Sequence, residues 1–219
     1  MYSPIDAAAQ PMLLSQQVGG QVSALTDLSR EIVKCQECDL ARHRTRAVPG
    51  EGPDNAAVLF IGEAPGWHED QQGRPFVGAA GKFLDELLAS IAMRREEVYI
   101  ANVLKCRPPA NRDPLPTEIK TCQKWLDYQI DLIQPQIIVT LGRYSMAKFF
   151  PGESISKVHG KGRLIGDVIY YAMYHPAAAL HQQSLRQVIQ TDMLRLPSLL
   201  DEMKRPAATE QKPQQLSMF

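Results

Sequence analysis

Short unbroken runs of apolar residues, separated by longer stretches with helical periodicity, set the pattern of this chain. The apolar runs cover residues 57–61, 98–103, 137–141 and 168–174. Continuous apolar segments of this length are typical of strands that are buried on both faces of a parallel sheet. We therefore predict four buried parallel strands.

Apolar positions between these runs recur at the spacing of a helix face. The predicted helices cover about residues 25–32, 83–91, 117–133, 146–149 and 184–196. Thr117 is predicted to cap the third of these, and Ser184 with Gln187 resembles a capping box for the last. Strands that alternate with helices predict an α/β fold, with helices on both faces of the sheet.

Polar residues and turn residues follow three of the predicted strands directly. The loop 62–66 comes after the first strand, Asn102 ends the second, and His175 with Pro176 follows the fourth. Ligands of parallel sheets bind at the carboxyl ends of the strands. We therefore expect Glu63, Asn102 and His175 to lie near one crevice.

The composition is that of one globular domain without a strong overall field. The chain has 219 residues, of which 44% are hydrophobic, and its 24 basic and 24 acidic side chains cancel. Any contact with a polyanion must therefore be local. Basic residues cluster at Arg42, His43, Arg44, Arg46, Lys105, Arg107, Arg112, Lys157, His159, Lys161 and Arg163. Charge runs of this kind are usually solvated surface.

Both ends of the chain lack sustained periodicity. We expect a flexible tail over residues 1–22, a single domain over 23–203 and a disordered tail over 204–219. The sequence shows no signal-peptide core and no membrane span. We therefore predict a cytoplasmic protein with no membrane partner, in which free thiols are favoured over disulfides.

Four cysteines are candidate metal ligands: Cys35, Cys38, Cys106 and Cys122. The first two form a CxxC pair, while the other two are dispersed, which is not the layout of a zinc ribbon. Iron-sulfur ligation tolerates such irregular spacing. Cys122 also lies on the apolar face of the predicted third helix, so a plain core position explains it as well. Spacing alone leaves both alternatives open.

The motifs at 62–66, 73–78, 102–109 and 175–176, with the cysteines between them, resemble those of the family 4 uracil-DNA glycosylases. The resemblance covers about residues 30–200. It implies a three-layer αβα sandwich around a four-stranded parallel sheet, and a [4Fe-4S] cluster held by the four cysteines. It also implies hydrolysis of the N-glycosidic bond of uracil in DNA, releasing uracil and leaving an abasic site for base excision repair.

The resemblance further implies roles for three side chains. Asn102 would match uracil O4 and N3–H, because its amide has both a donor and an acceptor, whereas cytosine has the opposite pattern. His175 would donate to uracil O2 and stabilise the departing anion. Phe76 would stack on the flipped base. By residue type alone, Phe76 is explained equally by core packing, and a histidine before proline by a structural role.

Residues around the first loop are implied to surround the base. Main-chain groups of Gly62, Glu63 and Ala64 would line the uracil edge, since small residues permit a close backbone approach. The Glu63 carboxylate resembles the acidic group that positions the hydrolytic water, although a carboxylate beside a turn can simply accept backbone N–H bonds. Glu69 is a candidate for excluding the methyl group of thymine.

The implied partner is single- or double-stranded DNA from which uracil is rotated out of the stack. Lys105 and Arg107 are expected to contact phosphate, and Leu180 is a small candidate wedge. Residues 215–219, from Gln215 to Phe219, resemble the peptide with which bacterial repair proteins dock on the sliding clamp. We otherwise expect a monomer. The alternative is a non-catalytic iron-sulfur or zinc module that only binds nucleic acid.

Overall fold

The computed structural model describes residues 23–204. Residues 1–22 and 205–219, which include the predicted N-terminal tail and the clamp-like peptide, lie outside this range. No helix in this range combines the length and the apolar character that crossing a membrane would require.

One mixed sheet forms the centre of the domain. Its strands are β1 (Val58–Gly62), β2 (Tyr99–Asn102), β3 (Ile137–Leu141), β4 (Lys161–Ile165) and β5 (Val168–Met173). They lie in the order β2-β1-β3-β5-β4, and all neighbouring pairs are parallel except β4 with β5. The four predicted strands are present and parallel, but the expectation of a four-stranded sheet was wrong, because β4 adds an antiparallel edge.

The continuous apolar runs are explained by burial on both faces. Val58 and Phe60 of β1 pack into one core, while Leu59 and Ile61 pack into the other. Because successive side chains of a strand point to opposite faces, both sets of positions must be apolar when both faces are covered.

Helices cover both faces and give the domain three layers. The helices are α1 (Ala24–Lys34), α2 (Leu40–His43), α3 (Trp67–Gln72), α4 (Ala79–Ser90), α5 (Pro116–Ile133), α6 (Arg143–Ala147), α7 (Ile155–Val158), α8 (Pro176–His181), α9 (Ser184–Met193) and α10 (Leu196–Lys204). Side chains of α4, α8, α9 and α10 share one core with the sheet. Those of α1 and α5 share the other.

The sequence pattern missed β4 because every residue of that strand is exposed. An edge strand that packs on neither core carries no apolar alternation for a pattern to detect. A local signal was nevertheless present, since Gly166 and Asp167 separate β4 from β5 and Gly166 has a φ of 61°. A Gly-Asp pair between two β-rich runs is typical of a two-residue hairpin.

Two predicted helix caps were wrong. α5 begins at Pro116 with Leu115 as its N-cap, so Thr117 lies inside the helix. Proline is favoured in the first turn because its missing N–H would have no partner there. Ser184 is the first residue of α9 rather than its cap, which is Gln183. A further helix, α10, follows where the sequence predicted a stop near Pro197.

Candidate active site and cysteine cavity

A pocket opens at the carboxyl edge of the sheet, where β1, β2 and β5 end. Glu63, Phe76, Asn102 and His175 all line it, together with Ala64. These residues come from four separate segments of the chain, and the sheet topology brings them together. Parallel strands present their carboxyl ends at one edge, and the strand order reverses at β1, which is where such sheets bind ligands.

Asn102 presents an unpaired acceptor at this pocket. The residue is 2% exposed, and its Oδ1 is the one buried side-chain oxygen or nitrogen among residues 23–204 without a hydrogen-bond partner. A buried polar atom without a partner costs about 1–3 kcal/mol. Such a cost in a folded protein indicates a position at which a ligand supplies the missing hydrogen-bond donor.

The ring of His175 is held by a hydrogen bond to one of its two nitrogens. Its Nδ1 accepts from the backbone N–H of Ala177 at 3.1 Å. Burial lowers the pKa of His175 to about 4, although the carboxylate of Glu69 opposes this shift. The ring is therefore neutral at physiological pH. Because Nδ1 is the acceptor, the proton of the neutral ring is on Nε2.

Phe76 lies in a strained turn against His175. Its φ is 50°, and its ring centroid is 5.5 Å from that of His175, with 26° between the planes. Left-handed backbone is unfavourable for an aromatic residue and persists only where neighbours enforce it. Arg95 does so by donating to the carbonyl of Phe76 at 3.1 Å. The absence of a side chain at Gly81 allows α4 to approach, since a Cβ there would lie 1.8 Å from that carbonyl oxygen.

Gly62 lies against the side chains of Asn102 and Phe76, behind the residues that line the pocket. A Cβ at this position would lie 2.3 Å from Asn102 Oδ1 and 2.7 Å from the Phe76 ring. Both distances are shorter than any real contact, so a larger residue at position 62 would displace the groups that define the pocket. The glycine is required here by close approach rather than by its backbone angles.

Glu69 joins the two loops that border the pocket. Its carboxylate, 9% exposed, accepts from the backbone N–H of Gly66 at 3.1 Å and from those of Val77 and Gly78 at 2.9 Å each. Three such bonds use most of the hydrogen bonds that a buried carboxylate can accept. Glu69 also lines the pocket, as the thymine-exclusion hypothesis requires, but its evident task is to fix the turn that carries Phe76.

Glu63 lies at the more open side of the pocket. Its pKa is raised, mainly by burial and also by the negative charge of Asp113, while Arg143 acts in the opposite direction. No hydrogen bond of the Glu63 carboxylate is found within residues 23–204. The carboxylate is therefore available to a water molecule or to a ligand rather than committed to a turn.

The sequence analysis did not identify two polar residues of the pocket wall. Asn111 and Arg112 line the pocket from the loop that follows β2. Asn111 accepts from Arg107 Nε at 2.8 Å, and Arg112 forms a bidentate pair with Glu118 of α5. Their position depends on how this loop folds back over the sheet edge. Only their closeness in sequence to the motif at 102–109 could have indicated it.

The four cysteines border a second, smaller cavity beside the pocket. All four are free thiols, with Cys106 and Cys122 buried and Cys35 and Cys38 partly exposed. Burial raises the pKa of Cys122 to about 11 and that of Cys106 above its usual value. No group of three or more His, Cys, Asp or Glu side chains in the described part of the chain is arranged to hold a single metal ion.

Donors surround the sulfur atoms of this cavity. Arg44 Nη1 donates to Cys106 Sγ at 2.9 Å, and the backbone N–H of Lys105 donates to Cys122 Sγ at 3.3 Å. Arg44 also donates to the carbonyls of Val33 and Cys35 at 2.8 Å each. Such donors stabilise negative charge on sulfur, which is the form that binds metal.

Lys105 does not contact phosphate, contrary to the expectation from sequence. The residue is 1% exposed, and its Nζ donates to the Asn102 carbonyl at 2.8 Å and to Gln129 Oε1 at 2.6 Å. Burial lowers its pKa to about 8. Arg44 likewise belongs to the cysteine cavity rather than to a surface patch. A charge run in a sequence does not show which of its members are turned inward.

Comparison with known proteins gives a consistent result. The family described as the Uracil DNA glycosylase superfamily matches residues 49–195. The chain is 46% identical to the type-4 uracil-DNA glycosylase of Sulfurisphaera tokodaii, over 84% of this chain and 88% of the relative. It is 46% identical to the type-4 enzyme of Archaeoglobus fulgidus, over 81% and 94%, and 40% identical to that of Thermotoga maritima, over 79% and 93%.

Proposed function

The chain belongs to the type-4 uracil-DNA glycosylases of the uracil DNA glycosylase superfamily, and we propose that its carboxyl-edge pocket receives a uracil rotated out of DNA. Its function is the excision of uracil in DNA repair. Hydrolysis of the N-glycosidic bond releases uracil and leaves an abasic site. The alternative of a non-catalytic nucleic-acid-binding module is not favoured, because the relatives that cover most of the chain are named as enzymes.

The unpaired Oδ1 of Asn102 is the observation that carries the site assignment. This acceptor matches the N3–H of uracil, and the amide nitrogen of the same side chain can donate to O4. Cytosine has an acceptor at N3 and a donor at C4, so both contacts would fail. Each buried group left without its partner costs about 1–3 kcal/mol, so two such groups discriminate strongly.

His175 supplies the donor for the leaving group. As the bond between C1′ and N1 breaks, its electron pair passes to the uracil ring and charge develops on O2. The ring is held through Nδ1 by Ala177 and lines the pocket, and we assign its Nε2–H as the donor to uracil O2. A preorganised donor of this kind contributes about 10²- to 10³-fold to the rate.

Phe76 and Gly62 give the slot its shape. The aromatic face stacks on the base, a contact worth about 1–3 kcal/mol without sequence preference. The main chain of Gly62, Glu63 and Ala64 would line the edge of the base, and the missing side chain at position 62 leaves space for the Asn102 amide and the Phe76 ring. The base is thereby held flat between fixed groups, and this positioning lowers the activation barrier for cleavage of the glycosidic bond.

Glu63 is assigned to the water and to the sugar. Its carboxylate has no hydrogen-bond partner in the described residues and borders the pocket. It can orient the water that attacks C1′ and balance the positive charge that develops on the sugar. Burial raises the pKa of Glu63, so the ionised form that these tasks need is less favoured than in a free glutamate and becomes more populated as the pH increases.

Cys35, Cys38, Cys106 and Cys122 would hold a [4Fe-4S] cluster. Support comes from their common cavity, from the donors Arg44 and Lys105 at the sulfur atoms, and from the absence of disulfides. A four-iron cluster holds its thiolates further apart than a single ion does, so the lack of a single-ion arrangement fits this assignment. Hydrolysis transfers no electrons, so the cluster would contribute chemically only Fe–S bonds that tie three segments together.

Further parts of the assignment concern partners and location. DNA is the substrate, and a flipped nucleotide is reached most easily in single-stranded or mismatched DNA. Leu180, 48% exposed on α8, is an apolar side chain that could enter the vacated stack. The sliding-clamp contact through Gln215 to Phe219 lies outside the described residues. We propose a monomer that acts in the cytoplasm at the nucleoid.

The direct test incubates the protein with oligonucleotides that contain one uracil, in single- and double-stranded form, followed by alkali and gel separation. Cleavage at the uracil position and release of free uracil are expected, with matched cytosine and thymine oligonucleotides left intact. A preparation with intact fold that releases no uracil from either substrate would refute the function. Iron analysis of anaerobically purified protein tests the cofactor, for which about four irons per chain are expected.

A further inference from the structure

A second concave surface, which we call the α9 groove, runs along α9 beside the β4–β5 hairpin. Its polar lining includes Ser156, Lys157, Lys161, Ser184, Thr191 and Arg195. The members from α9 and its end recur at helical spacing, so one face of this helix forms a wall. The opposite wall comes from α7 and the start of β4. None of these residues belongs to the pocket or to the cysteine cavity.

The exposed charge of the α9 groove is positive. Lys157, Lys161 and Arg195 are exposed, and the acidic residue of the lining, Asp192, is 4% exposed and bound to His159. Within residues 23–204, neither lysine forms an ion pair. The chain as a whole has a formal net charge of zero. This local excess of positive charge therefore requires a local explanation.

The base of the groove is rigidly built. His159 Nδ1 lies 2.8 Å from Asp192 Oδ2, and Arg195 Nη1 donates to the carbonyl of Gly160 at 2.8 Å. Gly160 has a φ of 67°, and a Cβ on it would lie 2.3 Å from Asp192 Oδ1. The turn at 159–160 is thus fixed to α9 by two polar contacts and one close approach. Ligand binding here would require little ordering of the protein.

The groove opens beside the pocket. The backbone N–H of Gly160 donates to the carbonyl of Ala172, near the carboxyl end of β5. The His159 ring lies 4.8 Å, between centroids, from the ring of Tyr174, the residue that precedes His175. The turn at the base of the groove is thus held against β5 and Tyr174, which lead directly to His175 of the pocket.

We infer that the α9 groove binds phosphates of the DNA strand that flanks the flipped nucleotide, with Lys157 and Lys161 as the contacting cations. This inference rests on the proposed function, because it takes the strand from the uracil pocket. Exposed cations with neighbouring hydroxyl groups are the chemistry that binds phosphate without reading sequence. The groove thus supplies affinity and register, while the pocket supplies discrimination.

The test compares the double variant Lys157→Gln/Lys161→Gln with wild type and with Arg94→Gln. Arg94 is an exposed cation that lies before β2, at the amino edge of the sheet, and serves as the matched control. Binding is measured by fluorescence anisotropy with a uracil-free single-stranded oligonucleotide at several salt concentrations. For the double variant, about tenfold weaker binding near 0.1 M salt and a salt slope smaller by about 1.4 are expected, about 0.7 per phosphate lost. Arg94→Gln should bind like wild type.

A second measurement locates the groove along the strand. Oligonucleotides that carry uracil close to the 5′ end or to the 3′ end are compared at low concentration. Wild type should lose activity when the flank that reaches the groove is missing, and the double variant should lose this dependence while its kcat at saturating DNA is kept. An unchanged salt slope and unchanged dependence on the flank in the double variant would overturn the inference. Wild type that binds DNA but releases no uracil would instead refute the proposed function.

Discussion

The carboxyl-edge pocket and the cysteine cavity both take residues from the segment that follows β2, but they differ in whether their polar groups have partners. In the pocket, Asn102 keeps a buried oxygen without a partner. In the cysteine cavity, Arg44 donates to one sulfur and two carbonyls. An unsatisfied group costs stability and is retained for a transient ligand, whereas saturated groups stabilise a permanent structure.

Lys105 connects the two regions. Its backbone N–H points to Cys122 Sγ, while its side chain binds the carbonyl of Asn102. The cysteine side of this segment therefore fixes the backbone from which the reading amide projects. The cysteine cavity can in this way support the pocket without itself taking part in a reaction.

The largest effect on activity is expected when the unpaired amide of the pocket is removed. Asn102→Ala removes the reading amide, and we expect uracil release to fall by about 10²- to 10³-fold. The free energy of unfolding should not fall in proportion, because removal of the unpaired oxygen relieves a cost of about 1–3 kcal/mol that offsets the lost packing. Kinetic assays and denaturant unfolding measure the two quantities. A variant with wild-type activity would contradict the site assignment.

A smaller loss of activity is expected from a side chain at position 62, behind Asn102 and Phe76. Gly62→Ala places a methyl group 2.3 Å from Asn102 Oδ1, so the amide and Phe76 must move. We expect activity to decrease by about 10- to 100-fold, the effect of a displacement near 1 Å. Gly152→Ala is the matched control, since nothing lies within 4 Å of a Cβ there. It should lose only stability, through its positive φ. Equal activity losses in both variants would exclude the steric explanation.

At the cysteine cavity, we expect a substitution to lower stability rather than activity. Arg44→Gln removes the donor to Cys106 Sγ and to two carbonyls, and we expect a loss of about 1–3 kcal/mol in the free energy of unfolding. Iron per chain should fall with it, whereas activity per iron-loaded molecule should stay within about twofold. Denaturant melts with iron analysis and active-site titration provide the measurements. A large drop in kcat at full iron occupancy would show that the two regions are not separable in this way.

The last effect is confined to acidic pH. The pKa of His175 is about 4 in the folded protein and near its ordinary value when unfolded, so the unfolded chain binds this proton first as pH decreases. Its contribution to stability is therefore fully present above about pH 6.5 and is lost as the pH falls towards 4. We expect wild type to lose about 2 to 3 kcal/mol relative to His175→Gln over this interval. Parallel pH profiles of the two proteins would contradict the buried neutral ring.

Positions were predicted well for strands that are buried on both faces of the sheet and poorly for the exposed edge strand. Strands β1, β2, β3 and β5 were confirmed because full burial leaves continuous apolar runs in the sequence. β4 was missed because an exposed edge strand leaves no such run. The cap at Thr117 was wrong because the proline at the start of α5 already defines that end.

Residue motifs predicted Glu63, Phe76, Asn102 and His175, which line the pocket, but neither Asn111 and Arg112 of its wall nor the residues that support it. The roles of Glu69 and Arg95 in holding the Phe76 turn depend on contacts between segments that lie 8 to 20 positions apart. Spacing cannot indicate such contacts, because several rotamers and loop paths are compatible with it. The same limit explains why Lys105 was expected at the surface.

The sequence by itself determined the α/β class, the strands of the buried sheet, the cysteine set and the family, since these depend on side-chain type and order. The tertiary structure alone decided which polar atoms are paired. Hydrogen bonding and burial depend on distances of a few ångströms between segments that are far apart in sequence. Because of these distances, Asn102 Oδ1 has no hydrogen-bond partner among the described residues, whereas Lys105 Nζ has two.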